Sequence, residues 1–102
     1  MFLDSIKSID VNELDEILDD INLIDIREPY ELEIEAIDGA ENIPMGDLFH
    51  TPDEYLDKDK TYYLLCHSGM RSLKLSVLLS DLGYDVINVT GGIAAYRGSR
   101  RI

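Results

Sequence analysis

Residues 66–72 read CHSGMRS and hold the chain's single cysteine, with four residues between Cys66 and Arg71. A thiol attacks as its thiolate, and helix N-termini or nearby cations lower a cysteine pKa from about 8.5 into roughly the 3.5–7.5 range. This run carries the parts for that. Gly69 is free to adopt positive φ, so the amides of His67, Ser68, Gly69, Met70, Arg71 and Ser72 can curl around the sulfur as an anion nest. A helix starting near Arg71 would add the positive end of its dipole. A lone cysteine is often a small buried hydrophobe; the glycine and arginine in this loop argue for a reactive site.

Such a loop needs a strand before it and a helix after it. Residues 61–65 (TYYLL) are β-rich without alternation, the pattern of a strand buried on both faces of a parallel sheet. Over 71–82, Leu75, Leu78, Leu79 and Leu82 recur at helical spacing, and Gly83 suits the position after the helix. Further strands are expected at 8–9, 22–26, 42–43 and 86–89. A helix over 11–18 is capped by Asp10 with Glu13 three residues on, and buries Val11, Leu14, Ile17 and Leu18. Pro29 opens a short acidic helix. A helical turn follows Pro44, 51–60 is a surface connection, Gly91 and Gly92 form a turn, and a last short helix spans 93–96. Strands alternating with helices give an α/β domain, a mainly parallel sheet of about five strands flanked by helices on both faces. Ligands bind such sheets at the carboxyl ends of the strands, where Cys66 falls.

At 102 residues the chain fits one domain, 1–102. Its 45% hydrophobic content is that of a protein with a packed core, not of a disordered one. The formal net charge of −12 disfavours nucleic acid and anionic membrane surfaces. The charge is uneven: residues 71–102 carry five cations against Asp81 and Asp85, leaving room for a small anion there. No window approaches the roughly 20 apolar residues of a membrane span. The N-terminus turns acidic within a few residues instead of forming a basic and then apolar leader. One cysteine makes no intramolecular disulfide and no cysteine-rich zinc site. The expected location is the cytoplasm.

Four segments in order resemble the rhodanese family across nearly the whole chain: LIDIREPYELE at 23–33, AIDGAENIP at 36–44, CHSGMRS at 66–72 and LGYDVINVTGGIAAY at 82–96. The resemblance implies a single three-layer rhodanese domain. In it Cys66 takes a sulfane sulfur from thiosulfate or another persulfide donor and passes it to a nucleophilic acceptor such as cyanide or a thiol. No cofactor or metal is implied. A phosphatase cradle of related geometry has five residues between cysteine and arginine; with four, this loop suits one terminal sulfur better than a phosphate. A second reading is a persulfide carrier that receives sulfur from a donor protein and turns over small donors slowly.

The backbone amides of 67–72 would form the cradle. Arg71 would brace the loop or hold a donor's sulfonate through its planar fork. His67 either adds positive charge at the rim or is an exposed residue without a role. Ser72 caps the helix, the preferred reading, or donates to the sulfur. Arg27, paired with Asp25, is chiefly structural and a candidate anion contact. Tyr96 is a lid or a core residue. Two departures from the family pattern stand out: Ala36, Ile37, Asp38 and Gly39 replace its His-Ile-Pro-Gly, and Tyr96 replaces a late tryptophan. The first puts that loop's conformation in question more than the chemistry.

Overall fold

The computed structural model describes residues 5–102; the reading of the N-terminal leader rests partly on residues 1–4, outside them. Five strands, β1 (Ser8–Asp10), β2 (Asn22–Asp25), β3 (Glu41–Asn42), β4 (Thr61–Leu65) and β5 (Asp85–Thr90), form one sheet. Their order is β1, β5, β4, β2, β3, and every pair is parallel. The strand that leads to Cys66 is therefore central.

The pattern of β4 explains its place. Alternate residues of a strand face opposite sides of a sheet, and both sides here are covered. Tyr62 and Leu64 pack with Leu48, Leu75 and Leu79 from α2 (Met45–His50) and α3 (Met70–Asp81). Tyr63 and Leu65 pack with Val11, Leu14, Ile93 and Tyr96 on the other side, where α4 (Gly92–Ala95) lies. Each fully buried leucine contributes about 1.5–3 kcal/mol over an exposed one.

The expected helix over 11–18 is instead two 3-10 segments, Val11–Glu16 and Leu18–Asp20, broken at Ile17 with φ −121°. The reason is packing at a spacing of three. Val11 and Leu14 are fully buried, which suits three residues per turn. On the adjacent row, Asn12 Nδ2 donates to the Ala95 carbonyl at 3.0 Å and Oδ1 accepts from Arg97 N at 2.7 Å, while Asp15 Oδ1 accepts from the Tyr96 hydroxyl at 2.6 Å. The expected Asp10 and Glu13 capping box is present.

In α3 the buried face is Ser72, Leu75, Ser76 and Leu79; Leu78 and Leu82 are exposed. Two small serines therefore lie against the sheet where the leucine pattern alone suggests Leu78 and Leu82. The remaining helix, α1 (Pro29–Leu32), starts with a capping box between Glu28 and Glu31. The segment that departs from the family pattern is pinned by the C-terminus. Ala36 and Ile102 exchange backbone hydrogen bonds at 3.0 and 2.8 Å, and Asp38 N donates to Arg100 O at 2.7 Å. Ala36 and Ile37 are buried beneath that pairing.

Candidate active site

Cys66 follows β4 directly, and the turn that leaves it returns into α3. Gly69 makes the return at φ +97°, a conformation that costs an L side chain roughly 1–2 kcal/mol. The turn aims two amides at the sulfur: Gly69 N donates to Sγ at 3.1 Å and Ser72 N at 3.4 Å. The Ser72 Oγ lies 3.4 Å from Sγ. Cys66 is fully buried, and burial pushes its thiol pKa up. The Ser72 hydroxyl and the amides of Ser72, Gly69 and Ser68 outweigh that and leave it below the ordinary thiol value.

The carbonyls of this loop are held from behind. Ile93 N donates to Cys66 O at 3.0 Å and Ala94 N to His67 O at 2.8 Å. A side chain at Gly92 would meet those carbonyls at 2.4–2.5 Å. Gly91 and Gly92 are thus more than a turn. They let the start of α4 touch the cysteine loop and hold the carbonyls of Cys66 and His67, while of the six amides expected in the cradle those of Gly69 and Ser72 donate to the sulfur.

Ser72 also reaches the neighbouring strand. Its hydroxyl lies 2.5 Å from Oδ1 of Asn88, a buried residue of β5, and 3.2 Å from Gly69 O. A hydroxyl has one proton to give, so sulfur, Asn88 and Gly69 share it. Ser72 is not the expected cap: the N-cap is Gly69, with no side-chain cap hydrogen bond, and Ser72 is the third residue of the helix, where its N–H and its hydroxyl lie beside the sulfur.

The two arginines differ. Arg71 is half-exposed, and its Nη1 and Nη2 donate to Glu31 Oε2 and Oε1, each at 2.9 Å. This fork holds the Glu31 carboxyl down to about 2, chiefly through the Arg71 hydrogen bonds against a smaller upward push from burial. Arg27 is buried against Asp25, with Nη2 to Asp25 Oδ2 at 2.8 Å and further bonds to the carbonyls of Glu31 and Glu35. Asn42 Nδ2 donates to the carbonyls of Asp25 and Arg27 at 2.9 Å. Breaking one side of such a buried pair leaves an uncompensated charge, so Arg27 has a structural task whatever else it contacts. Arg27 also lines a pocket of about 250 Å³ beside the loop, with Glu31, Ile34, Glu35 and His67. His67, Ser68 and Met70 are exposed around this turn. Tyr96 is a core residue, not a lid: it is 2% exposed, and its hydroxyl also accepts from Arg100 N at 2.7 Å. Among the described residues no cluster of three or more His, Cys, Asp or Glu side chains is placed to hold a metal ion.

The profile of the rhodanese-like domain matches residues 10–99. The chain belongs to the rhodanese-like family. The candidate sulfurtransferase YtwF of Bacillus subtilis is 40% identical over 85 residues, covering 81% of this chain and 80% of its own. The candidate sulfur carrier protein YrkF of the same species is 34% identical over 79 residues, 76% of this chain and 42% of its own length. The crystal structure of a rhodanese-like domain protein from Staphylococcus aureus superposes with a TM-score of 0.77 at 34% identity, covering 88% of this chain and 90% of that one.

Within this rhodanese-like domain, three residues beside Cys66 escaped sequence reasoning in their present parts. Asn88 carried a signal, a polar side chain inside the apolar strand VINV. Glu31 carried one only in hindsight, since 40 positions separate it from Arg71. Gly92 reads as a turn residue until the second loop beneath it is seen.

Proposed function

We propose that this rhodanese-like domain is a sulfurtransferase that carries sulfur on Cys66. The Cys66 thiolate attacks the outer sulfur of a sulfane donor; the donor's S–S bond breaks as the new one forms, and the donor leaves with the electron pair as sulfite or a thiolate. The resulting Cys66 persulfide then gives its outer sulfur to cyanide or a thiol, which regenerates the Cys66 thiolate. The observation that carries this reading is the convergence of the Gly69 and Ser72 amides on Sγ. Preorganised N–H donors stabilise the anion in a site that excludes water, and they remain for a persulfide anion one bond further out. Because Cys66 is fully buried, a donor reaches it through local opening of 67–70, where three of the four residues are exposed.

A family member with reduced cysteine chemistry fits a reducing compartment such as the cytoplasm, and no helix among the described residues is long and apolar enough to cross a membrane. The likeness to a candidate sulfur carrier supports the relay as a second reading, in which the donor or acceptor is another protein.

Intact-mass measurement tests both readings. Reduced protein treated with a sulfane donor gains about 32 Da, one sulfur atom, loses it on addition of cyanide, and gains nothing as Cys66→Ala. Absence of any adduct from thiosulfate and from small persulfides alike would refute both. Fast multiple turnover supports the enzyme; single loading with rapid transfer to a protein thiol supports the carrier.

A further inference from the structure

The arginines nearest the loop are each matched to a carboxylate. Arg71 spends both terminal nitrogens on Glu31 at 2.9 Å, Arg27 is closed on Asp25, and Arg101 Nε lies 3.2 Å from Glu35 Oε2. Two of these carboxylates, Glu31 and Glu35, line the pocket beside the loop together with the exposed apolar Ile34. A dianion arriving there meets acids before any free guanidinium, on a chain of net charge −12.

We propose that Glu31 sets the donor class by locking Arg71, so that the site takes sulfur from persulfides of uncharged or cationic thiols in preference to sulfonate donors such as thiosulfate. The inference rests on the sulfurtransferase reading and narrows it. The step is Cys66–S⁻ + R–S–SH giving Cys66–S–SH + R–S⁻: one S–S bond forms as one breaks, the thiolate R–S⁻ leaves with the electron pair, and no outside oxidant or reductant enters. The persulfide brings no oxyanion that needs a guanidinium. Its R group lies along Ile34 and the carboxylate-lined wall, where an apolar or positively charged tail is accommodated. Thiosulfate has a sulfonate to place, and the fork geometry that would bind it in two hydrogen bonds is already occupied by Glu31.

The test measures the second-order rate of sulfur loading, read by intact mass, from thiosulfate and from the persulfide of N-acetylcysteamine, whose tail is neutral. The native protein loads faster from the persulfide. Glu31→Gln keeps the side chain's shape and an acceptor for Glu28 N but releases the charge on Arg71. It raises the thiosulfate rate about tenfold, the scale of one added charge-assisted hydrogen bond, and so moves the ratio of the two loading rates toward thiosulfate. In the double variant Glu31→Gln with Arg71→Ala the thiosulfate gain disappears. Faster loading of the native protein from thiosulfate overturns the inference. So does a thiosulfate rate unmoved by Glu31→Gln, or a gain that survives without Arg71. In all three cases sulfur still loads on Cys66 and the sulfurtransferase reading stands, whereas loading from neither donor removes that reading as well.

Discussion

Ser72 Oγ and Asn88 Oδ1 are 2.5 Å apart in the buried space behind the cysteine, and the same Ser72 oxygen is 3.4 Å from Cys66 Sγ. In the thiol form a chain can run from S–H to Ser72 to Asn88. In the thiolate form the single Ser72 proton is wanted by the sulfur and by Asn88 at once. Asn88 therefore favours the thiol, and Ser72 favours the thiolate.

From that arrangement, substitutions at the two positions shift the Cys66 ionisation in opposite directions. Donors to the charged form lower an acid's pKa, so Ser72→Ala raises the thiol pKa, while Asn88→Ala frees the Ser72 proton for sulfur and lowers it. Titration of the thiolate's ultraviolet absorbance in the reduced protein checks both signs. A shift in the same direction for the two variants would contradict the shared-proton account. Native Cys66 itself titrates below an ordinary thiol, since the donors around it outweigh the effect of its burial.

Gly92→Ala separates the cradle from the nucleophile. At φ +60° the new Cβ would lie 2.4–2.5 Å from the carbonyls of His67 and Cys66, so the start of α4 must withdraw from the loop. We expect a loss of at least about 2 kcal/mol of stability from the left-handed backbone and the overlap together, seen as a lower denaturation midpoint. The sulfur-loading rate falls with it even where the variant is still folded, because the loop carbonyls lose the N–H groups of Ile93 and Ala94. An unchanged midpoint and rate would refute the role assigned to the close approach.

The ion pair of Glu31 with Arg71 predicts where acid weakens the fold. Glu31 falls from an ordinary value of 4.5 to about 2 on folding, a depressed carboxylate. Its contribution is thus fully present above about pH 4.5 and is lost as pH falls through 4.5 toward 2. Asp15 and Asp85 are lowered too, chiefly by Tyr96 and by Lys7, and add to the same loss. Chemical denaturation followed across this window gives falling stability for the native chain and a shallower fall for Glu31→Gln. Equal slopes would show that the pair does not differ between the folded and unfolded states.

Much of the fold was legible because the strands are covered on both sides. An apolar run such as TYYLL needs no partner information to be read as a central parallel strand, and Pro29, Gly69 and Gly83 mark their turns by backbone rules alone. The 3-10 segments at 11–20 were not legible, because α and 3-10 spacing diverge only once Asn12 and Asp15 find Ala95, Arg97 and Tyr96 more than 80 positions away. The serine face of α3 was hidden for a similar reason: leucines dominate the periodicity, while Ser72 is buried by its bonds to Cys66, Gly69 and Asn88.

The sequence by itself determined the α/β class, the position of Cys66 at a strand's carboxyl end, and the count of four residues between Cys66 and Arg71. These follow from local patterns and a count along the chain. Only the tertiary structure decided that Arg71 answers to Glu31, that Ser72 shares its proton with Asn88, and that Gly92 must be bare for the cysteine loop to keep its shape. Each of these joins residues far apart in the chain at hydrogen-bond or van der Waals distance, and such distances exist only after the sheet has set its strands side by side.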